Sequence, residues 1–289
     1  MAVHSHVFHP YAGARTSPRN RWMVVARYAL AEALALKKTI ALLVMAAFPL
    51  LGGAVIIYLH HNLEAITILP REMVQGLMNA FPINASFFFQ LLTVQGYFAF
   101  FLTASIGARV LVNDLRDNAL PLYLSRPLTR VEYVVGKAAA IAFLTSLVTW
   151  VPSLLLFGFQ GSLDRAWFAG NWWIAPAIFL AAWTAIPLFA LVCLAVAAVL
   201  RRRAASEAAF VALFIVVPLV AKIVDQFLHA DWWIRFFVPA IFESLWTPLF
   251  RLQQSNGLSA AGAAVSLSVA LVLAATVLLR RVRAWEVIR

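Results

Sequence analysis

Six stretches of the chain are apolar over about 20 residues or more, which is the length that a helix needs to cross the hydrocarbon core of a bilayer. Lipid offers backbone polar groups no partner outside such a helix. The pattern therefore predicts an all-α integral membrane protein with six transmembrane helices in one domain over residues 39–279. The predicted spans are residues 39–59, 87–112, 133–159, 172–200, 204–224 and 258–279.

Composition agrees with this pattern. Hydrophobic residues make up 63% of the chain and charged residues 12%, and the mean hydropathy is +0.86. A soluble domain of 289 residues could not bury that much apolar surface. The one cysteine, Cys193, excludes an intrachain disulfide.

Basic residues indicate the orientation of the spans. Most of the 23 lysines and arginines lie before residue 39, between residues 109 and 137, at residues 201–203 and after residue 279. Basic residues near span ends are retained on the cytoplasmic side. We therefore expect a plasma membrane protein of a bacterial cell or inner membrane, with both termini cytoplasmic. The net charge of +11 then reflects topology and attraction to membrane lipids, and no nucleic acid partner is needed to explain it.

Two segments flank the predicted domain on the cytoplasmic side. Residues 1–19 read as a flexible N-terminus, and residues 20–38 have apolar positions at spacings of three and four, which predicts an amphipathic interfacial helix on the inner leaflet. Such a helix serves equally well as an anchor or as a docking element. Residues 280–289 form a basic cytoplasmic tail.

The outer connection before the last span is rich in aromatic residues. Residues 231–251 combine rings with a few charges, as the outer membrane interface favours, and predict a re-entrant helical hairpin. An aromatic belt without a gating role is the alternative. The candidate outer gate consists of Trp232, Trp233, Phe236, Phe237 and Trp246.

A search for catalytic or metal-binding groups yields little. The adjacent His60 and His61 point to different faces of a helix, unlike a metal-binding pair four residues apart. The three histidines between residues 4 and 9 fit a flexible polar terminus better than a metal site. The stretch "VVGK" at 134–137 lacks the first glycine and the hydroxyl of a phosphate-binding loop. We therefore expect no catalytic residue and no metal site in this chain.

Polar residues inside the second span are candidates for a substrate pathway. Gln90, Thr93 and Gln95 lie in an otherwise apolar segment, where polar side chains are costly unless they face protein or water. The alternative is helix packing, as for Ser146, Thr149 and Ser153 in the third span.

Residues 113–130 interrupt the apolar pattern with charges and two prolines where the second span ends. An apolar cluster lies between arginines, as in a surface that docks on a partner protein. The candidate docking residues are Asp114, Arg116, Leu120, Leu122, Tyr123, Leu124, Arg126 and Arg130.

At this stretch the chain resembles a known family, the ABC-2 type permeases, which are membrane subunits of ATP-binding cassette transporters. In that family the second span ends in a cytoplasmic segment with an acid, a basic residue, small residues and leucines, then S-x-P-[LIV]-[ST]-R and a distal G-K. The sequence "DLRDNALPLYLSRPLTRVEYVVGK" at 114–137 is similar to this pattern. The inner amphipathic helix, the six spans and the outer re-entrant pair extend the resemblance over the whole chain.

The resemblance implies that two permease chains, expected as a homodimer, associate with two copies of a separate cytoplasmic ATPase. Residues 113–130 would be the coupling helix, and the second and fifth spans would line the pathway. This chain would hold no cofactor, because the partner ATPase would bind ATP and magnesium. The expected role is export or flipping of an amphipathic or polymeric substrate, and this chain itself would not be an enzyme. Two alternatives stay open: a membrane scaffold or assembly factor that transports nothing, and a membrane-embedded lipid-modifying transferase.

Overall fold

A computed structural model of the chain describes residues 17, 20–62, 70, 72, 76, 79, 82–117, 128–228, 233–254 and 256–282. Within these ranges the regular secondary structure is helical and contains no strand. A 3-10 turn spans Trp233–Arg235. The α-helices are α1 (Arg21–Leu34), α2 (Lys37–His61), α3 (Ala85–Arg116), α4 (Arg130–Val148), α5 (Trp150–Leu163), α6 (Arg165–Asn171), α7 (Ile174–Leu200), α8 (Arg203–Leu228), α9 (Val238–Leu249) and α10 (Ala260–Arg281).

Six helical segments of the described chain are long and apolar enough to cross a membrane. They are α2, α3, α4 continued by α5, α7, α8 and α10. The prediction of an all-helical protein with six membrane-spanning helices is therefore confirmed. The chain is a multi-pass membrane protein.

The third span is broken at Thr149, between α4 and α5. Thr149 has φ −101° and ψ −92°, outside the helical region. Pro152, three residues further on, has no N–H for the carbonyl of Val148, and its ring disfavours an uninterrupted helix there. The hydroxyl of Thr149 donates to the carbonyl of Thr145 at 2.8 Å, and the hydroxyl of Ser153 donates to the carbonyl of Thr149 at 3.0 Å. Side-chain hydrogen bonds thus add to the backbone bonds on both sides of the break.

The six segments divide into a central and a peripheral group. In α3, in α4 with α5, and in α7, between 56% and 61% of the apolar window is buried within the chain. In α2, α8 and α10 the buried share is only 11% to 17%. Large apolar side chains of this second group, such as Phe48, Phe227 and Val272, are exposed. Lipid or another protein chain covers such surfaces in a membrane.

The two central helices α3 and α7 run parallel and pack closely. Phe100 lies edge-on to Phe189 with ring centroids 5.7 Å apart. One to two turns further along, Gly107 faces Cys193, and a Cβ added to this glycine would lie 2.6 Å from the Cys193 sulfur. The glycine is therefore what lets the two backbones approach, as is typical of helix contacts in membranes.

The N-terminal helix α1 packs against α4 through a face of small residues, Val25, Ala29 and Ala33. A Cβ added to Gly136 of α4 would lie 2.7 Å from the Trp22 carbonyl oxygen, so only glycine fits there. A helix thus occupies much of the segment predicted to be amphipathic, although α2 already begins at Lys37. Its position on the inner leaflet stays a prediction.

The predicted re-entrant segment includes the turn Trp233–Arg235 and helix α9. Pro239 lies in the first turn of α9, where its missing N–H has no helical partner to lose. The side chain of Ser244 in α9 holds the connection to α10, because its hydroxyl donates a hydrogen bond to Asn256 Oδ1 at 2.8 Å. Whether this segment enters the bilayer stays a prediction.

Candidate functional site

The end of α3 and the beginning of α4 are joined by a group of polar residues that we call the α3–α4 charge cluster. Its members are Asn113, Asp114, Tyr133 and Lys137, with Glu32 from α1. Lys137 Nζ forms an ion pair with Asp114 Oδ2 at 2.7 Å, and the two side chains are only 4% and 12% exposed. The hydroxyl of Tyr133 donates to the same Asp114 oxygen at 2.6 Å.

The ammonium group of Lys137 is fully engaged in this cluster. Besides the ion pair, it donates to the carbonyl oxygen of Val110 at 2.8 Å and lies 5.6 Å from the centre of the Tyr133 ring. A buried charge is costly unless it is paired and hydrogen-bonded. Because both charges depend on this geometry, the cluster fixes the end of α3 relative to the start of α4.

The cluster also connects to the N-terminal helix. The side-chain amide of Asn113 donates to Glu32 Oε1 of α1. Together with the contact between Gly136 and Trp22, this bond ties α1 to the ends of both α3 and α4. A displacement of the α3–α4 connection would therefore also displace α1, α3 and α4.

A capping box fixes the start of α4. Thr129 Oγ1 accepts a hydrogen bond from the Glu132 backbone N–H at 3.2 Å, and the Glu132 carboxylate accepts from the Thr129 backbone N–H at 2.7 Å. This reciprocal pair satisfies donors that the first helical turn would otherwise leave unbonded. The connection between α3 and α4 thus has two fixed ends.

The predicted docking residues are distributed along this connection. Asp114 belongs to the charge cluster, whereas Arg116 is exposed and lies 3.7 Å from Asp117. Arg130 is exposed at the first position of α4. The remaining predicted docking residues, Leu120, Leu122, Tyr123, Leu124 and Arg126, lie outside the described residues.

The predicted pathway residues do not share one face of α3. Gln90 is exposed, and its side chain donates to Ser86 Oγ at 3.4 Å. Thr93 is half-buried and donates to the carbonyl of Phe89 at 2.9 Å. Gln95 follows Gln90 by five residues, which turn a helix by about 500°, or about 140° beyond one full turn. Gln95 therefore lies on the other side of α3 from Gln90.

Gln95 is completely buried and accepts a hydrogen bond from Ser153 at 2.5 Å. Its Nε2 has no partner among the described residues. The two interpretations, substrate pathway and helix packing, therefore apply to different residues. Gln95 packs within the chain, whereas Gln90 lies on an exposed face of α3 together with Val94, Tyr97 and Phe101.

The candidate gate residues also differ in how far they are buried. Trp246 is 3% exposed, is stacked on Phe242 with centroids 5.2 Å apart, and donates through Nε1 to Thr184 Oγ1 of α7 at 2.9 Å. Phe236 is exposed.

Trp233 lies between these extremes. Its backbone N–H donates to Asp225, its ring lies 5.3 Å from Lys222 Nζ, and it contacts the half-buried Phe237 with centroids 5.7 Å apart. Trp232 lies outside the described residues.

Four residues of the charge cluster were not among the sequence candidates: Glu32, Asn113, Tyr133 and Lys137. The available signal was Lys137 itself, an ammonium group four residues inside an apolar span, which requires a nearby acid. Asp114 is the acid at the end of the preceding span, so the pairing could have been proposed. Glu32 and Tyr133 carry no comparable signal.

The described residues contain no group of three His, Cys, Asp or Glu side chains that could hold a metal ion. Comparison of the chain with protein-family models and with curated proteins found no match.

Proposed function

We propose that this chain is the membrane subunit of an ABC-2 type ATP-binding cassette transporter, and that a separate cytoplasmic ATPase supplies the energy for export or flipping of an amphipathic or polymeric substrate. In this proposal two permease chains and two ATPase chains form the complex. Residues 113–130 are the surface on which the ATPase docks. The inner membrane of a bacterium and cytoplasmic termini belong to the same proposal.

The observation that supports the proposal best is the way in which the α3–α4 connection is held. Residues 118–127 belong to the family-like motif at 114–137. The buried Asp114–Lys137 pair joins the helices on the two sides of this segment, and the Thr129–Glu132 capping box fixes the start of α4. A segment that transmits force from a partner needs fixed ends.

The proposed mechanism follows from this connectivity. ATP-driven closure of the two ATPase chains would displace residues 118–127, and the charge cluster would pass the displacement to α3, α4 and α1 as one unit. A two-state membrane domain needs only a few kcal/mol of differential contact to change its populations substantially. The groups that this chain contributes are therefore positioning groups, and the hydrolysis of ATP takes place in the partner.

A substitution at the centre of the proposed docking surface tests the proposal. Leu122→Asp places a carboxylate in a contact that excludes water, which costs about 2 kcal/mol or more when the position is central to an interface. We expect the variant to insert and fold normally but to lose a copurifying ATPase, identified by its phosphate-binding-loop peptides, and the ATP hydrolysis of the purified complex.

Leu163→Asp serves as the matched control, because Leu163 is an exposed leucine at the end of α5 remote from this connection. It should retain the ATPase. Absence of any such ATPase from the wild-type preparation, or its full retention by Leu122→Asp, would contradict the proposal and favour the scaffold alternative.

A further inference from the structure

An open groove of about 570 Å³ runs between α3 and α8. Its walls are mostly apolar, with Phe101 and Ala104 on one side and Val211, Ala212 and Ile215 on the other. This volume lies within the range of small-molecule sites in proteins, about 300 to 1,000 Å³. The groove therefore has room for the chain of an amphipathic molecule.

Ser105 and Glu207 supply polar groups at one end of the groove. Glu207 is half-buried, and the described residues give its carboxylate no hydrogen bond or ion pair. The groove is thus polarised along its length, with hydroxyl and carboxylate groups at one end and hydrocarbon beyond it.

Ring contacts fix the register of the two helices. Phe100 of α3 is stacked on Phe210 of α8 with centroids 5.1 Å apart, and it also contacts Phe214 at 5.2 Å. Since α3 runs parallel to α7, and the chain turns back into α8 after Arg202, α3 and α8 are antiparallel. Ser105 and Glu207 accordingly lie at one level of the helix pair.

One turn beyond this level, the same register predicts that two arginines lie at the same height on the two helices. Arg109 follows Ser105 by four residues and Arg203 precedes Glu207 by four, and residues four apart share a helix face. Both arginines are half-buried, and each Nε is buried without a hydrogen-bond partner among the described residues. Two positive charges at one level repel each other, and a bound anion would reduce that repulsion and could accept hydrogen bonds from the two Nε atoms.

We propose that the groove binds a phospholipid whose headgroup carries one net negative charge, with the phosphate between Arg109 and Arg203 and the acyl chain along Phe101, Val211 and Ile215. Guanidinium groups bind phosphate through paired, charge-assisted hydrogen bonds. Glu207 leaves this end with two positive charges and one negative charge, so the site favours a single negative charge. The inference requires only that α3 and α8 lie in a bilayer and does not depend on the proposed transport.

Native mass spectrometry of the purified full chain tests the proposal. The detergent-solubilised protein is titrated with phosphatidylglycerol or with phosphatidylcholine of the same acyl chains. We expect one phosphatidylglycerol to be retained preferentially. The Arg109→Gln, Arg203→Gln double variant should bind it about ten-fold more weakly, as loss of a charged hydrogen-bonding partner implies.

Matched controls separate a built site from general charge attraction. Arg202→Gln removes one positive charge from an exposed neighbour of Arg203 and should change binding less than about two-fold, the size of a surface charge effect. Ala212→Trp fills the groove and should abolish preferential retention, whereas Leu213→Trp, at the exposed residue next to it, should not. The groove variant keeps the test valid if the double arginine variant fails to fold.

Three outcomes would overturn the proposal. Equal retention of the two lipids would mark the groove as ordinary lipid-facing surface. Equal losses in Arg202→Gln and in the double arginine variant would mark nonspecific attraction. If Ala212→Trp converts a dimer into a monomer while lipid retention is unchanged, a second copy of the chain covers the groove instead.

Discussion

At its Arg116 end, α3 is joined to its neighbours by an ion pair and by side-chain hydrogen bonds, whereas near its Ala85 end aromatic rings make the contacts. Phe88 packs edge-on to Phe157 with centroids 5.8 Å apart and lies 6.1 Å from Trp167. In the membrane there is little hydrophobic driving force between helices, so ring contacts contribute mainly through packing. Such contacts tolerate small displacements of the helices more readily than directional polar ones do.

The charged end behaves differently, because its bonds are directional and its charges are buried. A shift that separates Lys137 from Asp114 leaves two uncompensated charges, so the geometry of this end is either kept or lost as a whole. The comparison indicates that the end of α3 next to the proposed docking segment is the more rigid one. In the proposed transport cycle, the helices would then move mainly at the Ala85 end of α3.

The largest effect is expected for Lys137→Met. It leaves Asp114 as an unpaired buried charge, which should lower the free energy of unfolding by about 3 to 5 kcal/mol. Combining it with Asp114→Asn should recover most of that loss, because no lone charge remains. Unfolding of the purified protein in mixed micelles, followed by the change in helicity, measures both variants.

The control for this prediction is Arg116→Gln. Arg116 and Asp117 are 70% and 66% exposed, and such a pair contributes about 1 kcal/mol or less. If Lys137→Met is no more destabilising than Arg116→Gln, the buried pair does not hold the Arg116 end of α3 in the way described.

A smaller effect is expected for Gly136→Ala, which tests the attachment of α1. The added methyl group would lie 2.7 Å from the Trp22 carbonyl, and overpacking of this kind costs about 1 to 3 kcal/mol. Hydrogen exchange in α1 should become faster. Gly158→Ala in α5 is the control, since nothing lies within 4 Å of its added Cβ. Equal exchange in the two variants would show that α1 does not depend on this contact.

The smallest effect is expected at the aromatic end, for Trp246→Phe. It keeps an aromatic ring but removes the hydrogen bond from Nε1 to Thr184, worth about 1 kcal/mol. Trp172→Phe, at an exposed tryptophan, should leave the unfolding midpoint unchanged. A loss at Trp246 as large as that of Lys137→Met would reverse the comparison.

The six membrane helices could be predicted from the sequence because each is an apolar run long enough to cross a bilayer. The break at Thr149 was harder to predict. Pro152 coincides with it, yet Pro49, Pro187 and Pro218 lie inside helices that continue through them. Neighbouring side chains decide whether a proline interrupts a helix, and their positions depend on the fold.

The candidate site was predictable in part for a similar reason. Its location followed from a charged, proline-bounded stretch in an apolar chain. The contacts that hold it depend on which helices are neighbours, and single-residue patterns do not contain that information. The burial of Gln95, in contrast to the exposure of Gln90, likewise depends on packing against Ser153 in α5.

Site-specific cross-linking tests the central claim most directly. Cys193 is the one cysteine and is buried, so a thiol-reactive photo-cross-linker can be directed to an introduced cysteine. The measurement compares Leu122→Cys, in the proposed docking segment, with Ala169→Cys, at an exposed position of α6 near the other end of α3. The account predicts an adduct with a phosphate-binding-loop ATPase at position 122 and none at position 169. No ATPase adduct at position 122 in native membranes, or equal adducts at both positions, would contradict it.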